Sequence, residues 1–277
     1  MIARLQAIRQ LTDPAITRIE KTEAHFETGN SSMITFMKGL LIFIAIVATP
    51  VIWYKINYPS YSWHQKLTVE VETPDGIISG SSVTRVEWTS SLINDFWAEA
   101  SKWKSKVQGE AVVVDLGNDR YLFALMGYSG DESYTQNLAT SSLYDTTDRR
   151  WGKEAFRRVI KLKEPIAIPQ KLYPILATFA DINDSASVKH VEPPKMANVF
   201  GEGYKLKNIT LELTDEPVTR GRVEGVLKWI YTVESLTPRE LQPRLATEQT
   251  IEQKMHLYDF IDIQTWAEIK RSEREKQ

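Results

Sequence analysis

At 277 residues, 42% hydrophobic and 25% charged, the chain has the size and composition of one globular body with attachments. Its formal net charge of −2 gives no global attraction to nucleic acid, so no nucleic-acid partner is expected. It contains no cysteine, which excludes disulfides, zinc–thiolate sites, iron–sulfur clusters and cysteine nucleophiles.

Residues 1–32 form a short polar head, expected on the cytoplasmic side. Ile2, Leu5, Ile8 and Leu11 recur every three residues, which predicts one short helical stripe ended by Asp13-Pro14.

The next stretch, Met33 to Tyr54, carries a single charge, Lys38. A helix needs about 20 apolar residues to cross a bilayer core, and this run suffices. It predicts one transmembrane helix over 33–54. Lys38 lies near its first turns, where a long stem carries the ammonium to the headgroups. Trp53, Tyr54, Tyr58, Tyr61 and Trp63 cluster at its exit, as amphipathic rings do at a membrane–water boundary. A cleaved leader with its apolar core at Gly39–Ala48 is the competing reading. Against it, Val51-Ile52-Trp53-Tyr54 continues the run, and Ile46 is large for a processing site. Lys21 and Lys38 on one side balance Lys55 and Lys66 on the other, so the usual charge bias does not set direction. The layout of short head, single helix and large body places the C-terminal domain in the periplasm, with the helix in a bacterial inner membrane.

An α+β domain is expected over 60–235: a mostly antiparallel sheet built from hairpins with two or three helices, carried on the one N-terminal transmembrane helix. Leu67–Val71 alternates apolar and polar residues. Thr73-Pro74-Asp75-Gly76 is a turn, because Pro presets φ and Gly accepts φ > 0, and Ile77–Thr89 returns as the second strand. Ser91–Gln108 reads as a helix with Leu92, Phe96, Trp97 and Trp103 on its apolar side. Glu110–Leu116 and Tyr121–Met126 form a second hairpin around Gly117-Asn118-Asp119. Residues 127–148 read as a long polar loop, a candidate binding edge.

Arg149 to Lys163 is the most basic segment. Arg149, Arg150, Lys153, Arg157, Arg158, Lys161 and Lys163 face one acid, Glu154, while Trp151, Ala155, Val159 and Leu162 fall at helical spacing. A helix is expected, and Arg149, Arg150, Lys153, Arg157, Arg158 and Lys161 are its candidate partner-binding residues. The competing reading is a surface helix whose basic face is only solvated.

Leu172–Phe179 is a further strand. Asp181–Glu192 partly matches a calcium loop, with Asp, Asn, Ser and Glu at positions one, three, five and twelve. It has Ala186 where Gly is needed and Pro193-Pro194 where a helix should start. An Asp/Asn-rich turn is the alternative. Lys207–Thr214 and Gly225–Val233 alternate as strands. Thr237-Pro238-Arg239-Glu240 then opens a partly helical, charged tail over 236–277.

The block Leu176–Gly221 contains TFADIND, a following SV, VFGEGYKLKNIT and LTDEPVT. It resembles a segment of uncharacterised bacterial membrane-anchored or lipoprotein-like proteins, and the hairpin TVEVETPDGIISGSSV resembles the start of the same body. The resemblance implies a bacterial envelope setting and no particular activity. Those lipoproteins hold the membrane through a lipidated cysteine, which this chain lacks.

His25, His64, His190 and His256 have no metal-ligand spacing, and Gly127-Tyr128-Ser129-Gly130 misses a nucleophile elbow by one position. No catalytic residue, metal ligand or cofactor is assigned. The expected function is a non-catalytic membrane-tethered domain that binds a protein partner, forms a homo-oligomer or serves as a scaffold. Its layout is similar to that of bitopic scaffold subunits of bacterial secretion machines. The alternative is a tethered hydrolase or ligand- or metal-binding protein using Asp181 and Asp184.

Overall fold

The computed structural model describes residues 35–91, 103–127, 133–144, 152–232 and most of 255–271. The chain divides into two compact units, Met1–Pro59 and Ser60–Gln277.

In the first unit a helix, α1, spans Thr35–Asn57. Its best 18-residue window has a mean hydropathy of 2.1, and none of that window is buried. A core helix of a soluble protein hides at least one face, so this one is built differently: Phe36, Leu41, Ile44, Ile46 and Ile52 are all at least half exposed. It is long and apolar enough to cross a membrane. Pro50 is accommodated within it, and Thr49 Oγ donates to Ala45 O at 2.6 Å. The helix runs three residues beyond the expected end at Tyr54, and the ring of Tyr58 then turns back to lie 5.1 Å from that of Tyr54.

The second unit is α+β, built on two antiparallel sheets where one was expected, with four α-helices among the described residues where two or three were expected. The first has the order β3-β2-β1-β9-β6, comprising β3 Trp103–Gln108, β2 Gly76–Ser90, β1 Ser60–Thr73, β9 Lys205–Leu213 and β6 Ile166–Ala167. The second has the order β4-β5-β7-β8, comprising β4 Val112–Asp115, β5 Tyr121–Ala124, β7 Leu176–Phe179 and β8 Val188–His190. Both expected hairpins form. β1 and β2 pair in unbroken register from Ser60↔Thr89 to Thr73↔Gly76, with Gly76 at φ 127°. β4 and β5 meet through Gly117, Asn118 and Asp119, all at positive φ.

Period-two alternation explains the layers. On β1, Trp63, Gln65, Val69 and Val71 are buried, while Ser62 and Glu72 are exposed. β5 is buried on both faces: Leu122 and Ala124 join a core shared with β1 and β2, and Phe123, with Leu125 just past the strand, joins a second core. The sheets approach so closely at β2 that a Cβ on Gly80 would lie 2.1 Å from Val113 O. Helix α2, Ser133–Tyr144, and helix α3, Lys153–Val159, cover the first core. Met196 and Phe200, at the two ends of the short helix α4, also enter it. The second core is closed by helix α5, Arg222–Val226, and by Leu257–Ile261 near the C-terminus.

Three sequence expectations are corrected. Of the helix expected over Ser91–Gln108, residues 92–102 lie outside the described residues. Residues 103–108 are strand, because buried Trp103 and Val107 alternate with exposed Lys104 and Lys106 alongside β2. The expected loop 127–148 contains α2, whose buried side is made largely of small polar residues such as Thr135, Thr140 and Ser141 and so gives little hydrophobic periodicity. Of the strand expected over Gly225–Val233, Val233 lies outside the described residues and 225–232 are instead the end of a helix and a turn. Buried Val223, Leu227, Ile230 and Tyr231 follow the 3.6-residue period rather than alternation.

Candidate functional site

Helix α3 carries the basic segment. It begins after Gly152, whose φ of 147° is a left-handed value that suits glycine, and Arg157 and Arg158 in its last turn complement the helix dipole. Ala155, Phe156 and Val159 are buried. Phe156 is the hub: its ring lies 5.1 Å from Trp88, 5.0 Å from Trp103, 5.4 Å from Tyr61 and 6.1 Å from Trp63. The apolar side of α3 is therefore fully used in packing, and only its charged side faces outward.

On that outer side Arg158 is already engaged. It pairs with Glu154 at 2.8 Å and sits 5.5 Å above the Tyr144 ring. Lys153 is half-buried, and Arg157 and Lys161 are exposed. Among the described residues, no carboxylate stands within ion-pair distance of Arg157 or Lys161. Arg149 and Arg150 lie outside the described residues.

Just beyond α3 the surface opens into a groove of about 330 Å³ lined by Ser62, Trp63, His64, Ile160, Leu162, Leu213, Thr214 and Asp215. It exists because β9 stops short of the start of β1. The β1–β9 register begins at Gln65↔Leu213, and the last contact is Thr214 N–H donating to His64 O at 3.2 Å. The chain then turns away at Asp215, and His64 Nδ1 contacts Glu216 O at 2.7 Å. Ile160, 45% exposed, is one of the few large apolar side chains on the body's surface. It follows Phe156 by four residues and so continues the apolar stripe of α3, but at the helix end it is left exposed.

The boundary residues separate into two groups. Lys38, Trp53 and Tyr54 are exposed on α1, and Tyr58 is half-buried against Tyr54. Trp63 is only 6% exposed and donates its indole N–H to Gln65 Oε1 at 3.0 Å, so it is part of the body's core. Tyr61 is half-buried against Trp103 and Phe156. Both satisfied the aromatic pattern at the helix exit because β1 needs aromatic core residues at its first positions.

The acidic candidates are structural. Asp181 Oδ1 accepts the Asn183 N–H at 2.9 Å and Asp184 Oδ1 the Ala186 N–H at 2.9 Å, which makes this segment a pair of Asx turns leading into β8. Among the described residues no group of three or more His, Asp or Glu side chains is placed to hold a metal.

Among the described residues, Glu110 and Asp262 are two of three buried carboxylates, with Asp259, that escaped the sequence reading. Glu110 accepts the N–H groups of Arg222 at 2.9 Å and Val223 at 3.3 Å, capping α5. Burial pushes its carboxyl above the ordinary range despite these donors. Asp262 is fully buried and accepts from Gly109 N, Gln264 N, Thr265 N and Thr265 Oγ at 2.7–3.0 Å. Each has its acceptor capacity taken by nearby backbone, which suits tying the C-terminal segment to β4. Nearby Tyr231 is pushed up to about 12 by burial and by the carboxylates of Glu224, Glu110 and Asp262.

Comparison with protein-family models, with curated proteins and with solved structures returns no match for this chain.

Proposed function

We propose that this protein is a single-pass inner-membrane protein of a bacterial envelope whose non-catalytic body, on the periplasmic side, binds a protein partner. The observation that carries the anchor is α1: a 23-residue helix whose most apolar 18 residues have a mean hydropathy of 2.1, none of them buried. In water such a helix exposes an apolar cylinder, whereas in lipid every backbone group is satisfied and the side chains match their solvent. The partner-binding half rests on α3. Its apolar side is consumed by the core, yet Arg157 on it and Lys161 just beyond it are exposed, next to a groove lined by an exposed isoleucine. Charges presented without local partners act over distance and raise the rate of encounter with an acidic surface.

The anchor is tested by alkaline extraction of membranes and by paired C-terminal fusions to alkaline phosphatase and to a fluorescent protein. Retention in the membrane with an active phosphatase is expected. Release by carbonate removes the anchor, and a fluorescent fusion with an inactive phosphatase reverses the direction. The partner face is tested by Lys153→Glu, Arg157→Glu and Lys161→Glu together in a crosslinking pull-down. Unchanged capture would remove α3 from the binding surface.

A further inference from the structure

The chain contains three Asn-X-Ser/Thr triplets: Asn30-Ser31-Ser32, Asn183-Asp184-Ser185 and Asn208-Ile209-Thr210. This triplet is the acceptor pattern for transfer of a glycan to an asparagine amide, and it serves where a surface loop presents it. Asn30 lies outside the described residues, in the head that precedes α1. Asn208 lies within β9, opposite Glu70 of β1, and Thr210 stands opposite Thr68 of β1 and Ala167 of β6. Ile209 between them is fully buried. Ladders on both edges hold that triplet extended and inside the sheet, out of an enzyme's reach. Asn183 is placed differently. It is exposed in the loop between β7 and β8, beside exposed Asp184 and half-buried Ser185, and β8 is the outer strand of its sheet. The loop is a self-contained turn. Asn183 N–H donates to Asp181 Oδ1 at 2.9 Å, Asp184 N–H donates to Asp181 O at 3.0 Å, and Ser187 Oγ lies 2.8 Å from both Asp181 O and Asp184 O. The hydrogen bonds of Asn183, Asp184 and Ala186 thus stay within residues 181–187. Asn183 Nδ2 is 3.4 Å from Asp181 Oδ1, at the long limit of hydrogen bonding, so the amide nitrogen is held loosely. Asp181 also sets this triplet apart: two positions ahead of Asn30 and Asn208 stand Thr28 and Leu206, which carry no charge.

We propose that Asn183 is a glycosylation site, modified on the folded body by an oligosaccharyltransferase of the envelope that recognises Asp181 and Ser185 with it. The inference rests on the periplasmic placement above and goes beyond the partner-binding reading. The donor is an oligosaccharide carried on a polyprenyl diphosphate. Asn183 Nδ2 attacks the anomeric carbon of the first sugar. The N–C bond forms, the bond from that carbon to the diphosphate oxygen breaks, the polyprenyl diphosphate leaves, and one amide proton passes to a base of the transferase. No oxidation or reduction is involved. The exposed turn enters the enzyme as a unit without opening a strand ladder. Asp181 offers it a carboxylate to hold by a charge-assisted hydrogen bond, and Ser185 a hydroxyl.

The test uses the full-length protein purified from its native membranes, with the phosphatase fusion scored in the same cells. Peptide mass spectrometry is expected to find an oligosaccharide on the peptide that contains Asn183 and none on the peptide that contains Asn208. Asn183→Gln and Ser185→Ala are each expected to abolish the added mass, whereas Ser185→Thr retains it. Asp181→Asn keeps an oxygen for the turn and removes the charge, and it is expected to lower occupancy by about tenfold. An unmodified Asn183 beside an active phosphatase fusion overturns the inference and leaves the periplasmic placement intact. An unmodified Asn183 with an inactive phosphatase overturns both. Modification at Asn208 in place of Asn183, or full occupancy in Asp181→Asn, also overturns the inference.

Discussion

Phe156 of α3 stacks on Trp88 of β2, with ring centroids 5.1 Å apart and planes inclined by 24°. Both are essentially unexposed. Together with the contacts of Phe156 to Trp103, Tyr61 and Trp63, this stacking fixes the most basic segment of the chain to the longest hairpin of the body. Phe156→Ala is therefore expected to cost about 3–5 kcal/mol, as large-to-small changes at buried aromatic positions do. Urea unfolding of the detergent-solubilised protein, followed by tryptophan fluorescence, measures it. A loss below about 1 kcal/mol would mean that α3 is not docked in this way.

Two glycines should respond in opposite directions. A Cβ at Gly80 meets Val113 O at 2.1 Å, so Gly80→Ala must push β2 from β4 and is expected to destabilise by about 1–3 kcal/mol. Gly225 in α5 has nothing within 4 Å of such an atom, and Gly225→Ala is expected to stabilise by about 0.4–1 kcal/mol. Equal urea midpoints for the two variants contradict the packing of the two sheets.

Asp262→Ala leaves the buried Gly109 and Thr265 donors without an acceptor and is expected to cost about 2–3 kcal/mol. The same change should raise hydrogen exchange first at Ala111 and Met126, whose N–H groups donate to Phe260 O and Asp259 O. Unchanged exchange at these amides would show that the C-terminal segment is held by other means.

Glu110 sets a pH dependence. Its folded carboxyl is raised above 4.5, so the folded state keeps the proton longer than the unfolded state. Its contribution to stability is most favourable at low pH and falls as pH rises from about 4.5 through the higher folded value. Glu110→Gln is expected to flatten the stability–pH profile above pH 4.5, at the cost of one acceptor for α5. Tyr231 acts in the same sense at alkaline pH, where stability falls between the ordinary phenol value of 10 and the folded value of about 12. Urea midpoints across both ranges measure these slopes.

A charge at the centre of α1 should block insertion. Ile44→Arg adds about 2.5–3.5 kcal/mol to the insertion free energy at a helix centre. The variant is expected to shift from the membrane pellet to the soluble or aggregated fraction, whereas Ile44→Leu is expected to remain in the pellet. Equal fractionation of the two would separate α1 from membrane anchoring.

The hairpins and α1 were legible because each rests on local chemistry. Thr73-Pro74-Asp75-Gly76 sets its own turn and the flanking residues alternate. Leu40–Val47 is apolar on every face, and no tertiary partner is needed to make that stretch a helix. The boundary aromatics were only half legible. Trp53 and Trp63 look alike in sequence, yet one is exposed on a helix and the other is buried against Phe156.

What the amino-acid order determined by itself was therefore the α+β class, the antiparallel hairpins, the apolar helix and the cationic helix beyond residue 149. Tertiary structure decided the rest. It made residues 103–108 a strand, because β2 offered an edge and two apolar residues faced the core. It turned 222–232 into a helix and turn, because the second sheet needed its outer face covered. It also opened the groove between β1 and Ile160. That groove depends on where β9 departs from β1, a long-range register that no local pattern encodes.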